Sequence, residues 1–138
     1  MGKYFSSEAD FNAHFQPFFE KLLKHPEIGE KLREKKISFR FITKDPAAEI
    51  AVQAREGQGT VSTGGQQPAD EDVHITLRAD LLHQLLLGKI RLMPAIMGRQ
   101  IVARGVMDKQ KELGAMISSF SQLYKEYLTE QNKAEMIE

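Results

Sequence analysis

Apolar residues recur along this chain at two spacings, and the switches between them mark its elements. Phe11, Phe15, Phe18, Phe19, Leu22 and Leu23 return every three or four residues behind Ser6, Ser7 and Asp10. That pattern predicts an amphipathic first helix with a serine at its start. Pro17 falls inside the run and predicts a kink or break, while His25-Pro26 predicts its end, because the residue before proline is pushed out of the helical region. A second short helix is expected from Pro26 to about Lys35, with Ile28 and Leu32 inward.

From Ile37 the period becomes two. Ile37, Phe39 and Phe41 alternate with Ser38, Arg40 and Ile42, and an Asp45-Pro46 turn leads to Ala48, Ile50, Val52 and Ala54, which predicts a β-hairpin. Gly57 and Gly59 introduce a short third strand, Thr60 to Thr63, and Gly64 to Asp72 reads as a polar connecting loop. Val73, Ile75 and Leu77 mark a fourth strand that feeds a Leu-rich helix from Ala79 to Leu87, closed by Gly88. A helical turn from Pro94 to Met97 follows, then a fifth strand from Arg99 to Val106. A final helix from Met107 to about Gln131 carries Leu113, Met116, Ile117, Phe120, Leu123, Tyr124, Tyr127 and Leu128 on one stripe. The order predicts an α+β fold: a single five-stranded, mostly antiparallel sheet with helices covering one face.

With 138 residues, 41% of them hydrophobic, the chain is expected to form one domain, 1–138, with a real core. It contains no cysteine, which excludes disulfides and thiolate metal sites. Lys plus Arg and Asp plus Glu both number 19, so long-range attraction to nucleic acid is not favoured and no nucleic-acid partner is expected. The N-terminus has no apolar signal core and no stretch approaches 18 apolar residues, so the expected location is cytoplasmic.

Catalytic signals are sparse. His14, His25, His74 and His83 share no metal-ligand spacing, no serine sits in a nucleophile elbow, and the Gly-containing loop lacks the Gly-Lys-Ser/Thr ending of a phosphate loop. Asp70, Glu71 and Asp72 read as a solvated turn. No catalytic residue, metal or cofactor is assigned, and the chain reads as a non-enzyme. The informative feature is apolar. Leu81, Leu82, Leu85, Leu86, Leu87, Ile90, Leu92, Met93, Ile96 and Met97 crowd into 17 residues interrupted by Gly88 and Pro94, more than two short helices readily bury against one sheet. Flexible methionines among them suit a cavity that adapts to apolar ligands, and a tightly packed core accounts for the same composition.

This region resembles the sterol carrier protein type-2 family. The resemblance lies in Asp72-Val73-His74-Ile75-Thr76-Leu77, the Leu-rich helix, Gly88-Lys89-Ile90, and Pro94-Ala95-Ile96-Met97-Gly98-Arg99-Gln100-Ile101-Val102-Ala103-Arg104-Gly105. It implies an apolar tunnel between helices and sheet, and binding or transfer of a fatty acid, acyl-CoA, phospholipid, sterol or isoprenoid. Tunnel-lining positions carried over are Leu82, Leu85, Leu86, Met93, Ile96, Met97 and Ile101, and periodicity adds Met116, Ile117 and Phe120. Lys89, Arg91, Arg99 and Arg104 read as solvated charges, with pairing to an acidic headgroup as the alternative. The expected partner is a hydrophobic small molecule or lipid, with transient membrane contact and a homodimer as further candidates. The alternative function is an interaction or dimerisation module of the same fold without bound lipid.

Overall fold

The computed structural model describes residues 4–54, 59–64 and 71–137. Gly57, Asp70 and most of the polar loop lie outside them. Helix α1 (Glu8–Lys24) starts where Ser7 accepts a hydrogen bond from the Asp10 N–H at 3.1 Å. It runs through Pro17 without a break. Pro17 and Ala13, whose carbonyl the proline ring cannot partner, both lie on the exposed face, where water can satisfy the freed oxygen, while Phe15, Phe18 and Phe19 are buried on the other side. Packing of that aromatic face outweighs the roughly 3 kcal/mol that an interior proline costs. Helix α2 (Ile28–Glu34) begins two residues later than Pro26, because the His25 imidazole Nδ1 accepts the N–H groups of Glu27 and Ile28.

Strands β1 (Ser38–Lys44), β2 (Ala48–Gln53), β3 (Thr60–Thr63), β4 (Val73–Arg78) and β5 (Val102–Gly105) form one sheet in the order β3-β2-β1-β4-β5. The β1–β4 pair at its centre is parallel and the other three pairs are antiparallel. The register places Phe39 opposite Val52 and Val73, and Phe41 opposite Ile50 and Ile75, so the predicted apolar alternation makes one continuous buried face. Helix α1 packs over β2 and β3 on that face, with Phe19 between Phe39 and Phe41 at ring distances of 6.2 and 5.9 Å.

β5 is shorter than expected. Arg99 takes a positive φ of 63°, and the N–H groups of Arg99 and Gln100 bond back to Ile96 and Ala95, so residues 99–101 wrap the end of α4 (Leu92–Met97) before the strand starts. The terminal helix is divided into α5 (Met107–Ile117), a single 3-10 turn (Ser118–Phe120) and α6 (Ser121–Glu130). The Ser118 and Ser119 hydroxyls donate back to the carbonyls of Gly114 and Met116, which tightens the backbone at this point.

The opposite sheet face holds a buried charge cluster. Arg40 donates from Nε and Nη2 to the two carboxylate oxygens of Glu71 at 2.8 and 3.0 Å, and from Nη1 to Glu49 at 3.0 Å. Glu71, expected in a solvated turn, is therefore a core residue. Burial pushes its carboxyl up, but the hydrogen bonds from Arg40 and Gln53 and the Arg40 charge outweigh that and hold it well below the usual carboxylate range. Glu71→Gln breaks the bidentate pair while Arg40 keeps Glu49, and is expected to lower stability by about 1–3 kcal/mol, measured by urea unfolding at neutral pH.

Gly105 carries a second prediction for the sheet. Its φ is +125° and a Cβ there would stand 2.1 Å from the Asp72 carbonyl oxygen. Gly105→Ala is expected to cost about 2–4 kcal/mol in the same assay, from overpacking and backbone strain together.

Candidate functional site

The predicted apolar segment becomes α3 (Ala79–Leu87), a left-handed turn at Gly88, and α4. The N–H of Gly88 bonds the Leu85 carbonyl and the N–H of Lys89 bonds the Gln84 carbonyl, a closure that satisfies the last carbonyls of α3. Gly88 serves twice, since a Cβ there would approach Ser121 to 3.3 Å; its absence lets α3 lie against α6. At Gly114 of α5 a Cβ would meet Leu92 of α4 at 3.6 Å, an ordinary packing distance.

Between these helix pairs lies an open cleft of about 160 Å³. Leu85, Ile90, Leu92 and Ile117 supply its apolar wall, and Arg91, Ser118 and Ser121 its polar rim. It can receive an apolar group between its walls while Arg91 meets a polar head at the edge. A second, wider cleft of about 470 Å³ lies between the end of α1, Arg33 of α2 and the start of β3, with Leu23 and Val61 beside Glu20 and Lys24. No sequence pattern pointed to it; the approach of α1 to the sheet edge creates it, with Arg33 donating to the Leu23 carbonyl at 2.7 Å.

Of the ten positions expected to meet a lipid, Leu85 and Ile117 line the first cleft. Leu82, Leu86, Ile101, Met116 and Phe120 are buried in the surrounding core. Met93 and Ile96 are half-buried on α4, and Met97 is 82% exposed.

Behind the cleft runs a buried hydrogen-bond chain whose direction follows from its ends. The Met136 carbonyl can only accept, so His83 donates to it from Nε2 at 2.7 Å, and its Nδ1 accepts the Tyr124 hydroxyl at 2.6 Å. The Tyr124 oxygen then accepts from His14 Nε2 at 2.7 Å, and His14 Nδ1 accepts from the Lys133 ammonium at 3.1 Å. Tyr127 donates to the His14 carbonyl at 2.6 Å. Both imidazoles are neutral in this arrangement. Burial lowers the pKa of His14 to about 3, aided by the Lys133 charge, and burial likewise lowers that of His83. Neither ring keeps a free nitrogen to act as a base. Among the described residues no group of three or more His, Asp or Glu side chains is placed to hold a metal, and no helix is long and apolar enough to cross a membrane.

The family model described as the SCP-2 sterol transfer family matches residues 19–118. The chain belongs to that family. Its matched region runs from the second half of α1 through the cleft to Ser118. Solved SCP-2 relatives share the fold. Sterol carrier protein domain 2 of Helicoverpa armigera is 22% identical at a TM-score of 0.60, covering 76% of this chain and 87% of that one. Apo sterol carrier protein 2 from Yarrowia lipolytica is 19% identical at 0.59, covering 88% and 96%. A ubiquinone synthesis protein, UbiJ-SCP2, is 17% identical at 0.57, covering 83% and 91%. No curated protein matches the chain.

The two histidines set a pH dependence. Their pKa values are lower in the fold than in the unfolded chain, so the unfolded state binds more protons and acid favours unfolding. Their contribution is complete above about pH 6.5 and declines below it, the His14 part being lost as pH falls toward about 3. Urea unfolding at steps from pH 7.5 to 4 is expected to show this decline, and His14→Gln should make it shallower. Tyr124→Phe strands one donor and one acceptor and is expected to cost about 2–4 kcal/mol at pH 7.5.

Proposed function

We propose that residues 1–138 form one domain that binds the apolar part of a fatty acid, acyl-CoA, phospholipid or isoprenoid, and carries it without catalysing a reaction. The observation that carries this reading is the cleft between α3–α4 and α5–α6, lined by Leu85, Ile90, Leu92 and Ile117 with Arg91 at its rim, all five within the region matched to the SCP-2 family. Each methylene moved from water to such a wall gains about 0.8 kcal/mol before ordering costs, so a few suffice to retain a tail. Its volume of about 160 Å³ is below the roughly 300–1,000 Å³ of ordinary small-molecule sites. Uptake of a whole tail therefore requires α4 and the 3-10 turn to separate, and both hold that position through side chains rather than through sheet hydrogen bonds.

The same small volume favours a second reading, an accessory or dimerisation module, and one protein that shares this fold is a ubiquinone synthesis protein. Native mass spectrometry of the purified chain, followed by titration with a fluorescent fatty acid, separates the two. Lipid binding predicts a saturable one-to-one adduct. Ser118→Trp, at an exposed rim position, is expected to fill the cleft and weaken the adduct at least tenfold with unchanged circular dichroism. A chain that takes up no fatty acid while running as a dimer supports the module instead.

A further inference from the structure

The sheet ends in two edge strands, and they are protected unequally. At one edge β5 carries the exposed cation Arg104, and Gln110 of α5 donates to the Gly105 carbonyl at 2.9 Å. Charge and a covering side chain both discourage a further strand there. At the other edge β3 reads Thr60-Val61-Ser62-Thr63, with no charge, no proline and, among the described residues, no strand beyond it. Its ladder to β2 shows which groups face outward. Gly64 donates to the Glu49 carbonyl at 3.0 Å, so these two form a hydrogen-bonded pair, and by alternation so do Ser62 with Ala51 and Thr60 with Gln53. Val61 and Thr63 therefore turn their N–H and C=O groups away from β2, toward the open edge. The cleft of about 470 Å³ borders Gly59, Thr60 and Val61, so space remains beside the strand.

We propose that two copies of this chain pair antiparallel through β3, about a two-fold axis at Ser62, and join their sheets into one. In this register Val61 of each copy stands opposite Thr63 of the other, and each such pair exchanges both of its backbone hydrogen bonds. The outward N–H and C=O groups of the two residues are thereby all satisfied. A lipid tail beside the strand would satisfy none of them. Charge also suits a second copy. Glu20 and Lys24 flank the cleft at this edge, and neither forms an ion pair among the described residues, so each copy brings an acid and a base to the junction. The pairing does not depend on the lipid-binding reading. Two of the helices that wall the lipid cleft, α3 and α5, pack on β4 and β5, at the far end of the sheet from β3, so both clefts stay open in the dimer.

Sedimentation velocity of the full chain over roughly 5–500 μM, the range suited to a small interface, is expected to show a monomer–dimer equilibrium. Thr63→Pro removes an outward N–H and leaves the ladder to β2 intact, as prolines on edge strands do. It is expected to weaken the dimer about tenfold or more. Ser62→Lys keeps every backbone bond, opposes two ammonium groups across the axis, and should weaken it as well. The register is tested by cross-linking. The chain has no cysteine, so one introduced thiol reports one contact. With oxidised glutathione, Ser62→Cys is expected to join two chains, the two thiols becoming one disulfide as glutathione is reduced, because the axis holds these Cα atoms about 4.5 Å apart. Thr60→Cys is expected not to join, since its counterpart lies about 14 Å away along the strands. A monomer at every concentration overturns the proposal and leaves the edge to a strand of another protein. A dimer that both Thr63→Pro and Ser62→Lys leave unchanged, or one in which Thr60→Cys cross-links as readily as Ser62→Cys, overturns it too. A β3 dimer that takes up no fatty acid would remove the cleft assignment and leave the pairing standing; uptake by a strict monomer would do the reverse.

Discussion

One phenol oxygen joins three helices. Tyr124 of α6 accepts from His14 of α1 and donates to His83 of α3, and the outer ends of this chain reach Lys133 and Met136 beyond α6. Helices covering an apolar sheet face are free to slide, because hydrophobic burial is non-directional. A fully satisfied polar chain inside the aromatic cluster removes that freedom, since any slide would leave a buried donor or acceptor unpaired. The His83–Tyr124 bond ties α3 to α6, the helices that supply Leu85 and Ser121 to the cleft.

Polarity is arranged differently on the two faces of the sheet. The helix side is filled by rings, with Phe15, Phe18 and Phe19 reaching toward Tyr124, Phe39 and Phe41. The other side is closed locally by Arg40 and Glu71, which bring the segment before β4 down onto β1. A sheet sealed by rings on one side and by a bidentate ion pair on the other is stiff at its centre.

Much of this was legible in residue order. Alternation at Phe39, Phe41, Val73, Ile75 and Leu77 marked the starts of β1 and β4 to within a residue, and Gly88 marked the end of α3, because these signals are local. The uninterrupted α1 was not legible at Pro17, since only tertiary packing shows that the proline faces solvent. Nor was the divided terminal helix, because paired serines tighten a helical turn only when their hydroxyls turn back on it. At the site, the Leu and Met positions announced an apolar region, yet periodicity could not say that Met97 points outward. Glu71 and the histidine chain stayed hidden because the decisive partners are distant, Arg40 lying 31 residues from Glu71 and Lys133 lying 119 from His14.

That separation orders events during synthesis. A chain emerging from its N-terminus can form the β1–β2 hairpin early, and β4 can align beside β1 once about 35 further residues have followed. His14 is then already on the apolar face of its helix, 110 residues ahead of the hydroxyl that satisfies it. Until Tyr124 arrives, closing α1 onto the sheet would bury an imidazole without its partner. Closure of α1 onto the sheet with its polar groups satisfied thus waits for α6.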